Sequence, residues 1–316
     1  MTTNQTLPMP TDQPSTQYLS ESEDPKSTTI KFAIPKGRMY DGVSQLLKEA
    51  GIKIGSTARD YRPSISLPDM SVKILKPRAI VEMLDLGSRD LGFAGADWVS
   101  EDNADLVELL DTGLDRVRLV AAAPNALVPD GKLPKRAPKD SPLLIASEYV
   151  NITQRWINEQ NMNAKLIRSY GATEVLPPED ADCIVDNTAT GSTLSANNLK
   201  IVDDLMVSTT RIYASKQAMD DPRKRERINQ FVLLVSSVLE ARNRVMLELN
   251  VSGADLDAVI NILPSMRMPT VSPMHGCDGF AVKAAVLKEQ IPAVIPAIKS
   301  VGGTDIVVTK PSQIVQ

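Results

Sequence analysis

The sequence predicts an α/β protein with a two-lobed core and a smaller domain at the C-terminal end. Three observations support this prediction. Strand patterns alternate with helical patterns from residue 30, a Pro-rich segment interrupts them after residue 123, and the elements follow a different order after residue 227. With 316 residues and a mass of 34.3 kDa, the chain is long enough for two or three domains, each with its own core.

The composition excludes several classes of protein. A net charge of −4 argues against a broad nucleic-acid-binding surface, and no apolar run has the length of a membrane span. Cys183 and Cys277 are too few for a disulfide framework and are interpreted as buried, reduced thiols. With His275 as the one histidine of the sequence and no CxxC motif, a zinc site is not predicted.

Residues 1–29 are predicted to be a disordered tail. They are rich in Ser, Thr, Pro and Gln and poor in aliphatic side chains. They contain neither the apolar stretch of a secretory signal nor the arginines of a transit peptide. We therefore expect a cytoplasmic protein.

The first lobe is predicted at 30–123 and 207–227. "IKFAI" has the pattern of a strand, and Val43, Leu46 and Leu47 follow at helical spacing. Two further strand–helix units, "VKILKPRAIVEMLDLG" and "DLGFAGADWVSE", come next. Between the first strand and its helix lies "PKGR", at the carboxyl end of a strand, where open α/β folds bind ligands.

The second lobe is predicted at 124–206. Its strands are "LLIASEY", "AKLIRSYG" and "CIVDN", and its main helix is "VNITQRWINEQN". The Pro-rich segment "APNALVPDGKLPKRAPKDSP" is interpreted as one crossing between the lobes, and "LKIVDDLMVSTTRIYAS" as the return. Two α/β lobes joined by two crossings form a cleft, as in periplasmic-binding-protein folds.

Residues 228–316 are predicted to form a separate domain. A long helix, "RERINQFVLLVSSVLEARN", precedes strands and helices in the order β-α-β-β-α-β. That order is the ferredoxin-like arrangement. Small domains of this type often bind a regulatory ligand, but the fold alone does not identify one.

The segment "CIVDNTATGSTLSAN" joins an apolar strand to a loop of glycine and hydroxyl side chains. Backbone N–H groups and hydroxyls from Thr190 to Thr193 can surround one phosphate, and Gly191 permits a close approach. The order suits a ribose 5-phosphate, with Asp186 accepting hydrogen bonds from ribose hydroxyls. A strand and turn held by Thr and Ser caps explains the same residues equally well.

The "PKGR" turn carries two cations, Lys36 and Arg38. Cations at a helix N-terminus oppose the helix dipole, so we favour a polyphosphate ligand over solvated surface charge. Arg59 and Arg62 in "ARDYRPS" are further candidates for phosphate or base contacts, with surface charge as an equal alternative.

The "GFAGADW" stretch is a third candidate. Gly92, Gly95 and Asp97 are compatible with a ligand-binding turn and equally with a tight turn that ends in an acid at a helix start. His275 and both cysteines are interpreted as structural.

Four motifs, which together come from all three predicted domains, have the order and spacing of the signatures of one enzyme family. "AIPKGRMYDGVSQLLKEAGI", "DLGFAGADWVSE", "IVDNTATGSTLSANNL" and "LPSMRMPTVSPMHG" resemble the successive signatures of ATP phosphoribosyltransferases, which begin histidine biosynthesis. The resemblance covers residues 30–316. The C-terminal part is similar to the long form of the family, which implies a homohexamer, with dimers in exchange, and a histidine-sensing domain. The short form lacks this domain and needs a partner subunit.

The resemblance implies a reaction and its ligands. N1 of ATP attacks C1 of phosphoribosyl pyrophosphate, pyrophosphate leaves, Mg²⁺ is required, and histidine inhibits. Such a displacement needs no protein nucleophile. It needs two large anions to be positioned and the leaving pyrophosphate to be neutralised, for which Mg²⁺, Lys36 and Arg38 are the candidates.

The resemblance also implies the site residues. The segment from Asp186 to Leu194 matches the phosphoribosyl-binding loop of the family, and Glu174 in "GATE" falls where the family keeps an acid facing the cleft. The residues predicted to be catalytic are Lys36, Arg38, Glu174 and Asp186. Those predicted to bind substrate are Gly37, Arg59, Gly95, Asp97, Thr188, Ala189, Thr190, Gly191, Ser192, Thr193 and Leu194. No metal ligands are assigned.

One position departs from the pattern of the family. Asn198 stands where the family usually has Gly after Ala-Asn, and because Asn tolerates the left-handed conformation we expect the turn to survive.

Two alternatives remain beside this family. One is a cytosolic two-lobed small-molecule sensor or binding protein, although such a protein has less need of a cationic turn opposite a phosphate loop. The other is a phosphoribosyltransferase with a different base acceptor. Its ordinary members carry two adjacent acids before the loop, whereas Asn187 follows Asp186 here.

Overall fold

The computed structural model describes residues 28–55, 61–137 and 139–315. Most of the predicted tail, residues 1–27, therefore lies outside the described residues. The first lobe alternates strands and helices as the hydrophobic periodicity predicts. Its elements are β1 (Ile30–Pro35), α1 (Arg38–Glu49), β2 (Met70–Leu75), α2 (Pro77–Asp85), β3 (Leu91–Gly95) and α3 (Ala96–Glu101).

The second lobe repeats this alternation, and two long strands join it to the first. The long strands are β4 (Leu106–Pro124) and β8 (Leu199–Ser215). Between them in the chain lie β5 (Leu143–Ser147), α4 (Val150–Glu159), β6 (Ala164–Arg168), β7 (Cys183–Thr188) and α5 (Ser192–Ala196).

One eight-stranded sheet in the order β2-β1-β3-β8-β4-β7-β5-β6 forms both lobes. In the first lobe β1 pairs in parallel with β2 and β3, and in the second lobe β5 pairs in parallel with β6 and β7. The long strands β4 and β8 are antiparallel to each other and to their outer neighbours β7 and β3. The prediction of a two-lobed α/β core is confirmed.

The connection between the lobes differs from the one predicted. β4 pairs with the end of β8 in the first lobe and with β7 in the second, so the strand itself passes from one lobe to the other. Its register shifts between Asp111 and Val117, where Gly113 and Asp115 have φ values of 67° and 49°. The Pro-rich segment 125–142 joins β4 to β5 within the second lobe. The domain limits at 124 and 207 stay predictions.

Helix α7 (Pro222–Asn243), which follows α6 (Lys216–Asp220), covers the first lobe. The ring of Phe231 lies 5.1 Å from that of Phe32 and 6.4 Å from that of Phe93, in edge-to-face contacts. Val235, on the same helix, is fully buried in this cluster. The predicted limit at 228 therefore falls inside a helix whose buried face contacts the first lobe, and that limit stays a prediction.

The C-terminal domain is a four-stranded antiparallel sheet in the order β10-β11-β9-β12. This strand order and the predicted succession β-α-β-β-α-β agree with the ferredoxin-like arrangement. The elements are β9 (Arg244–Ser252), α8 (Leu256–Ile262), β10 (Thr270–Pro273), β11 (Gly279–Leu287), α9 (Ile291–Ser300) and β12 (Thr304–Thr309).

The two cysteines differ in burial. Cys183 is buried in β7, as expected, whereas Cys277 is exposed, so the expectation was wrong for the second thiol. The reason is local: Cys277 belongs to the polar turn between β10 and β11 and not to a strand. Among the described residues, no helix has both the length and the apolar character that a membrane crossing requires.

Candidate active site

The "KGR" turn lies at the carboxyl end of β1, as predicted. Gly37 immediately precedes α1 and has φ +78°, a conformation that L side chains rarely adopt. The side chains of Lys36 and Arg38 are exposed, and the Lys36 ammonium lies 5.8 Å from the centre of the Tyr61 ring. The Lys36 backbone N–H donates to the Leu75 carbonyl at 2.8 Å, which ties the turn to β2. Two cations are thus presented at this edge of the sheet.

The hydroxyl loop after β7 is held by its own hydrogen bonds. The Gly191 N–H donates to Thr188 Oγ1 at 2.9 Å, and Thr190 Oγ1 donates to Ser192 Oγ at 3.0 Å. Gly191 has φ +81° and forms the N-terminal cap of α5. The exposed side chains of the loop belong to Ala189, Thr190, Ser192 and Thr193, whereas Leu194 is buried in the core of the second lobe.

Asp186 lies on β7 just before this loop and is half-buried. Burial raises the pKa of its carboxyl to about 6, and the charges of Glu174 and Glu148 act in the same direction. The Asn187 backbone N–H opposes this shift by donating to Asp186 Oδ1 at 2.7 Å. The structure therefore brings Glu174 and Asp186 into electrostatic contact, and at neutral pH Asp186 is an ionised acceptor.

A cleft of about 170 Å³ lies between the two lobes. Of the predicted site residues, Lys36, Arg38, Gly95 and Asp97 line it. Asn187, which separates Asp186 from the hydroxyl loop, lies on the opposite wall. The full lining is Lys36, Arg38, Met39, Pro77, Gly95, Asp97, Trp98, Asp115, Val117, Tyr149, Asn187, Ser208, Thr209 and Thr210.

Asp97 joins the two lobes through a buried hydrogen-bond network. Its carboxylate accepts from the Tyr149 hydroxyl at 2.7 Å and from Ser208 Oγ at 2.8 Å. The Tyr149 oxygen in turn accepts from Asn187 Nδ2 at 2.9 Å. Gly95 makes room for this arrangement, because a Cβ there would lie 2.2 Å from Asp97 Oδ1.

Two residues of this network, Tyr149 and Ser208, were not predicted from the sequence. A signal was available for Tyr149, which follows β5 much as Asp97 follows β3, at the strand end where α/β folds place ligand-contacting residues. No local signal marks Ser208, because it lies inside the long strand β8.

Other candidates lie apart from the cleft or outside the described residues. Arg59 falls in the segment 56–60, which the structure does not describe. Arg62 is exposed, and its charge adds to the effect of burial in lowering the pKa of Lys73 and of Arg89. His275 is exposed in the C-terminal domain. Within the ranges 28–55, 61–137 and 139–315, no group of three or more His, Cys, Asp or Glu side chains could hold a metal ion.

Two family models match the chain in succession. The model described as ATP phosphoribosyltransferase, HisG, matches residues 76–237, and the model for the HisG C-terminal domain matches residues 241–312. The first covers the hydroxyl loop and most of the cleft lining, but not Lys36, Arg38 and Met39. The second covers the four-stranded antiparallel sheet that begins at β9.

Curated relatives match over most of the chain. The ATP phosphoribosyltransferase of Pelotomaculum thermopropionicum is 36% identical over 283 residues, which are 88% of this chain and 96% of the relative. That of Desulforudis audaxviator is 36% identical over 284 residues, with the same coverage. A solved Thermotoga maritima ATP phosphoribosyl transferase (HisG:HisZ) complex aligns with a TM-score of 0.59 and 28% identity, over 67% of this chain and 99% of that one. The chain belongs to the ATP phosphoribosyltransferase family and has the domain architecture of its long form.

Proposed function

We propose that this protein transfers the phosphoribosyl group of phosphoribosyl pyrophosphate to N1 of ATP, the first step of histidine biosynthesis. The N1 lone pair forms a bond to C1 of the ribose while the bond from C1 to the pyrophosphate oxygen breaks, and pyrophosphate leaves with the electron pair. One observation carries the assignment of the site: the cations of the first lobe and Asn187 of the second line the same cleft.

The first lobe supplies positive charge. Lys36 and Arg38 neutralise phosphate oxygens, and they act most strongly on the pyrophosphate as it gains negative charge in the transition state. Gly37 gives this turn the positive φ that brings both cations to the same edge of the sheet. Gly95 and Asp97, which line the same side of the cleft, position the nucleotide.

The second lobe holds the phosphoribosyl group. The backbone N–H groups and hydroxyls of the segment 188–194 bind the 5-phosphate, and Asp186 accepts hydrogen bonds from the ribose hydroxyls. Leu194 contributes through its backbone, since its side chain is buried. Glu174 lies close to Asp186 and faces the ribose side of the cleft.

Magnesium fits this site as an ion carried by the substrates. Because the described residues offer no three-ligand protein site, Mg²⁺ would be held by substrate phosphates together with one or two carboxylates, its usual mode with nucleotides. Asp186 and Glu174 are the carboxylates in reach of the ribose side. When bound, the ion supplies charge neutralisation on the phosphate oxygens.

Regulation and assembly complete the proposal. Free histidine binds the C-terminal domain and inhibits, and the protein forms a cytoplasmic homohexamer with dimers in exchange. Support comes from the C-terminal family match at 241–312. Here the sensing domain and the cleft belong to one chain.

The test combines purified protein with ATP, phosphoribosyl pyrophosphate, Mg²⁺ and pyrophosphatase, and follows the absorbance of phosphoribosyl-ATP with and without histidine. A rise that histidine suppresses supports both the catalytic and the regulatory proposals. A rise that histidine leaves unchanged supports the enzyme and rejects the regulation. No rise, in full-length protein with a normal thermal transition, rejects the catalytic proposal and favours a two-lobed binding protein.

A further inference from the structure

We propose that Tyr149 is a positioning residue that links the two walls of the cleft and thereby sets the affinity for phosphoribosyl pyrophosphate. The inference rests on the proposed function and assigns a role to a buried side chain that this function does not otherwise use. Tyr149 contacts no substrate in this proposal. It acts through Asn187 and, beyond it, through Asp186.

The hydrogen bonds form a continuous path from one lobe to the other. The Asp97 carboxylate of the first lobe accepts from Ser208 Oγ at 2.8 Å through one oxygen and from the hydroxyl of Tyr149, a second-lobe residue, at 2.7 Å through the other. In the second lobe, Asn187 Nδ2 donates to the Tyr149 oxygen at 2.9 Å, and the Asn187 backbone N–H donates to Asp186 Oδ1 at 2.7 Å. The position of Asp186 is thus tied to the first lobe through one phenol.

Packing keeps this phenol in place. Tyr149 is fully buried, and its ring stacks on Trp98 with centroids 4.6 Å apart and an interplanar angle of 25°. The Arg78 guanidinium lies 5.2 Å from the centre of the Trp98 ring. Since Trp98 belongs to α3 and Tyr149 precedes α4, this stack joins the two lobes beside the cleft.

A buried carboxylate adds a second link between the same helices. Glu101, at the end of α3, is 1% exposed and accepts from the backbone N–H groups of Asn151 and Ile152, each at 3.0 Å. It therefore caps the first turn of α4, where a negative charge is favourable. Because Glu101 already joins these helices, the Tyr149 hydroxyl contributes little to the contact between the lobes. Its main role is to orient the Asn187 side chain.

The phenol is suited to this role because it keeps its proton. Burial, reinforced by the neighbouring charge of Asp97, raises the pKa of Tyr149 far above its ordinary value. The hydroxyl therefore always donates to Asp97, which leaves its oxygen lone pairs to accept from Asn187. Because the phenol oxygen can only accept from Asn187, the NH₂ group of the Asn187 amide is held towards it.

The test is Tyr149→Phe, which keeps the ring and removes the hydroxyl. In this variant Asp97 keeps its hydrogen bond from Ser208, whereas the Asn187 amide loses the acceptor of its hydrogen bond. The substitution should therefore disturb the second lobe, which holds phosphoribosyl pyrophosphate. We expect the KM for phosphoribosyl pyrophosphate to rise about tenfold, the size expected for a lost hydrogen bond near a charged group. The KM for ATP and kcat should each change by less than about twofold.

Tyr213→Phe is the matched control. Tyr213 is 3% exposed, and its hydroxyl donates to Glu108 at 3.4 Å, in the first lobe and away from the cleft. Both variants lose one buried hydroxyl, so both should lower the melting temperature by a similar few degrees. If Tyr213→Phe raises the KM for phosphoribosyl pyrophosphate as much as Tyr149→Phe does, or if both substrates lose affinity equally in Tyr149→Phe, the positioning role is rejected.

A double-mutant cycle with Asn187→Ala tests the path itself. If Tyr149 acts through Asn187, the double variant should have the same KM for phosphoribosyl pyrophosphate as the weaker-binding single variant. If the rise in KM in the double variant equals the product of the rises in the two single variants, the side chains act independently and the inference is rejected. The wild-type assay separates the two proposals: an inactive wild type contradicts the proposed function, whereas an active wild type with an unaffected Tyr149→Phe contradicts only the inference.

Discussion

The turn after β1 and the loop after β7 each follow the carboxyl end of a strand, one in each lobe, yet their chemistry is opposite. Each places a glycine with positive φ before a helix, Gly37 at +78° and Gly191 at +81°. In the first lobe, Lys36 and Arg38 form no ion pair with any of the described side chains. In the second, the hydroxyls of the loop bind each other and its own backbone.

This difference shows how one cleft can both stabilise charge and orient its ligand. Cations that form no ion pair remain available to a ligand whose negative charge grows during the reaction. A wall that is already hydrogen-bonded is rigid before the ligand arrives, so it orients the ligand at little entropic cost. The first wall should therefore control the rate and the second the binding of phosphoribosyl pyrophosphate.

The largest effect is expected from the first wall. Arg38→Ala should lower kcat by about 10²–10³-fold, the range seen when a group that stabilises transition-state charge is removed. Lys48→Ala, which removes an exposed cation from the last turn of α1, is the control and should leave kcat unchanged. A loss below about fivefold in Arg38→Ala would show that the charge of this turn is not catalytic.

The second wall is tested by Asp186→Asn. The kcat/KM for phosphoribosyl pyrophosphate should fall by about 10–100-fold, because hydrogen bonds to a charged acceptor are lost. In the wild type the same parameter should fall tenfold per pH unit below about 6, where the carboxyl takes up a proton. The variant should lose this dependence. Asp180→Asn, on the exposed surface of the same lobe, should keep it.

The same carboxyl should lower the stability of the wild type at neutral pH. Its pKa is about 6 in the folded protein and near the ordinary 3.8 when unfolded, so the folded state binds the proton more tightly. The free energy of unfolding therefore falls as the pH rises from about 4 to 6. Asp186→Asn removes this cost and should be about 1–2 kcal/mol more stable than the wild type at pH 7. Equal stability of the two proteins at pH 5 and 7 would contradict the shift.

A further effect on stability is expected at the junction of the two walls. Gly95→Ala places a Cβ 2.2 Å from Asp97 Oδ1, so the carboxylate must move, and we expect a loss of about 1–3 kcal/mol in stability. Gly42→Ala is a control of opposite sign. It lies inside α1 with its nearest neighbour at 3.7 Å, and the helix should gain about 0.5–1 kcal/mol. Thermal unfolding of both variants measures the contrast.

The smallest effect is expected behind the hydroxyl loop. Asn198 has φ 57°, the left-handed conformation that the sequence predicts for it. Because Asn already tolerates this conformation, Asn198→Gly should change the free energy of unfolding by less than about 0.5 kcal/mol. A larger shift in denaturant unfolding would mean that the Asn198 side chain has a structural role of its own.

Much of the fold follows from local signals. Apolar residues at periods of two and of 3.6 predict β1 and α1, and the ferredoxin-like order follows from the same reasoning. The "KGR" turn and the hydroxyl loop were also found locally, since glycines and polar side chains at strand ends mark ligand-binding turns. The path of β4 through both lobes was not predicted, because an antiparallel pair that bends has the same alternation as two separate strands.

The amino-acid sequence by itself determined most of the strands and helices, the two turns with their glycines, and the family to which the chain belongs. Tertiary structure alone decided that Asp97 meets Tyr149, 52 positions away, and Ser208, 111 positions away, and that α7 covers the first lobe. The physical reason is that periodicity and turn chemistry act over a few residues. Such distant contacts depend on the order of strands in the sheet, which is settled only when the whole core packs together.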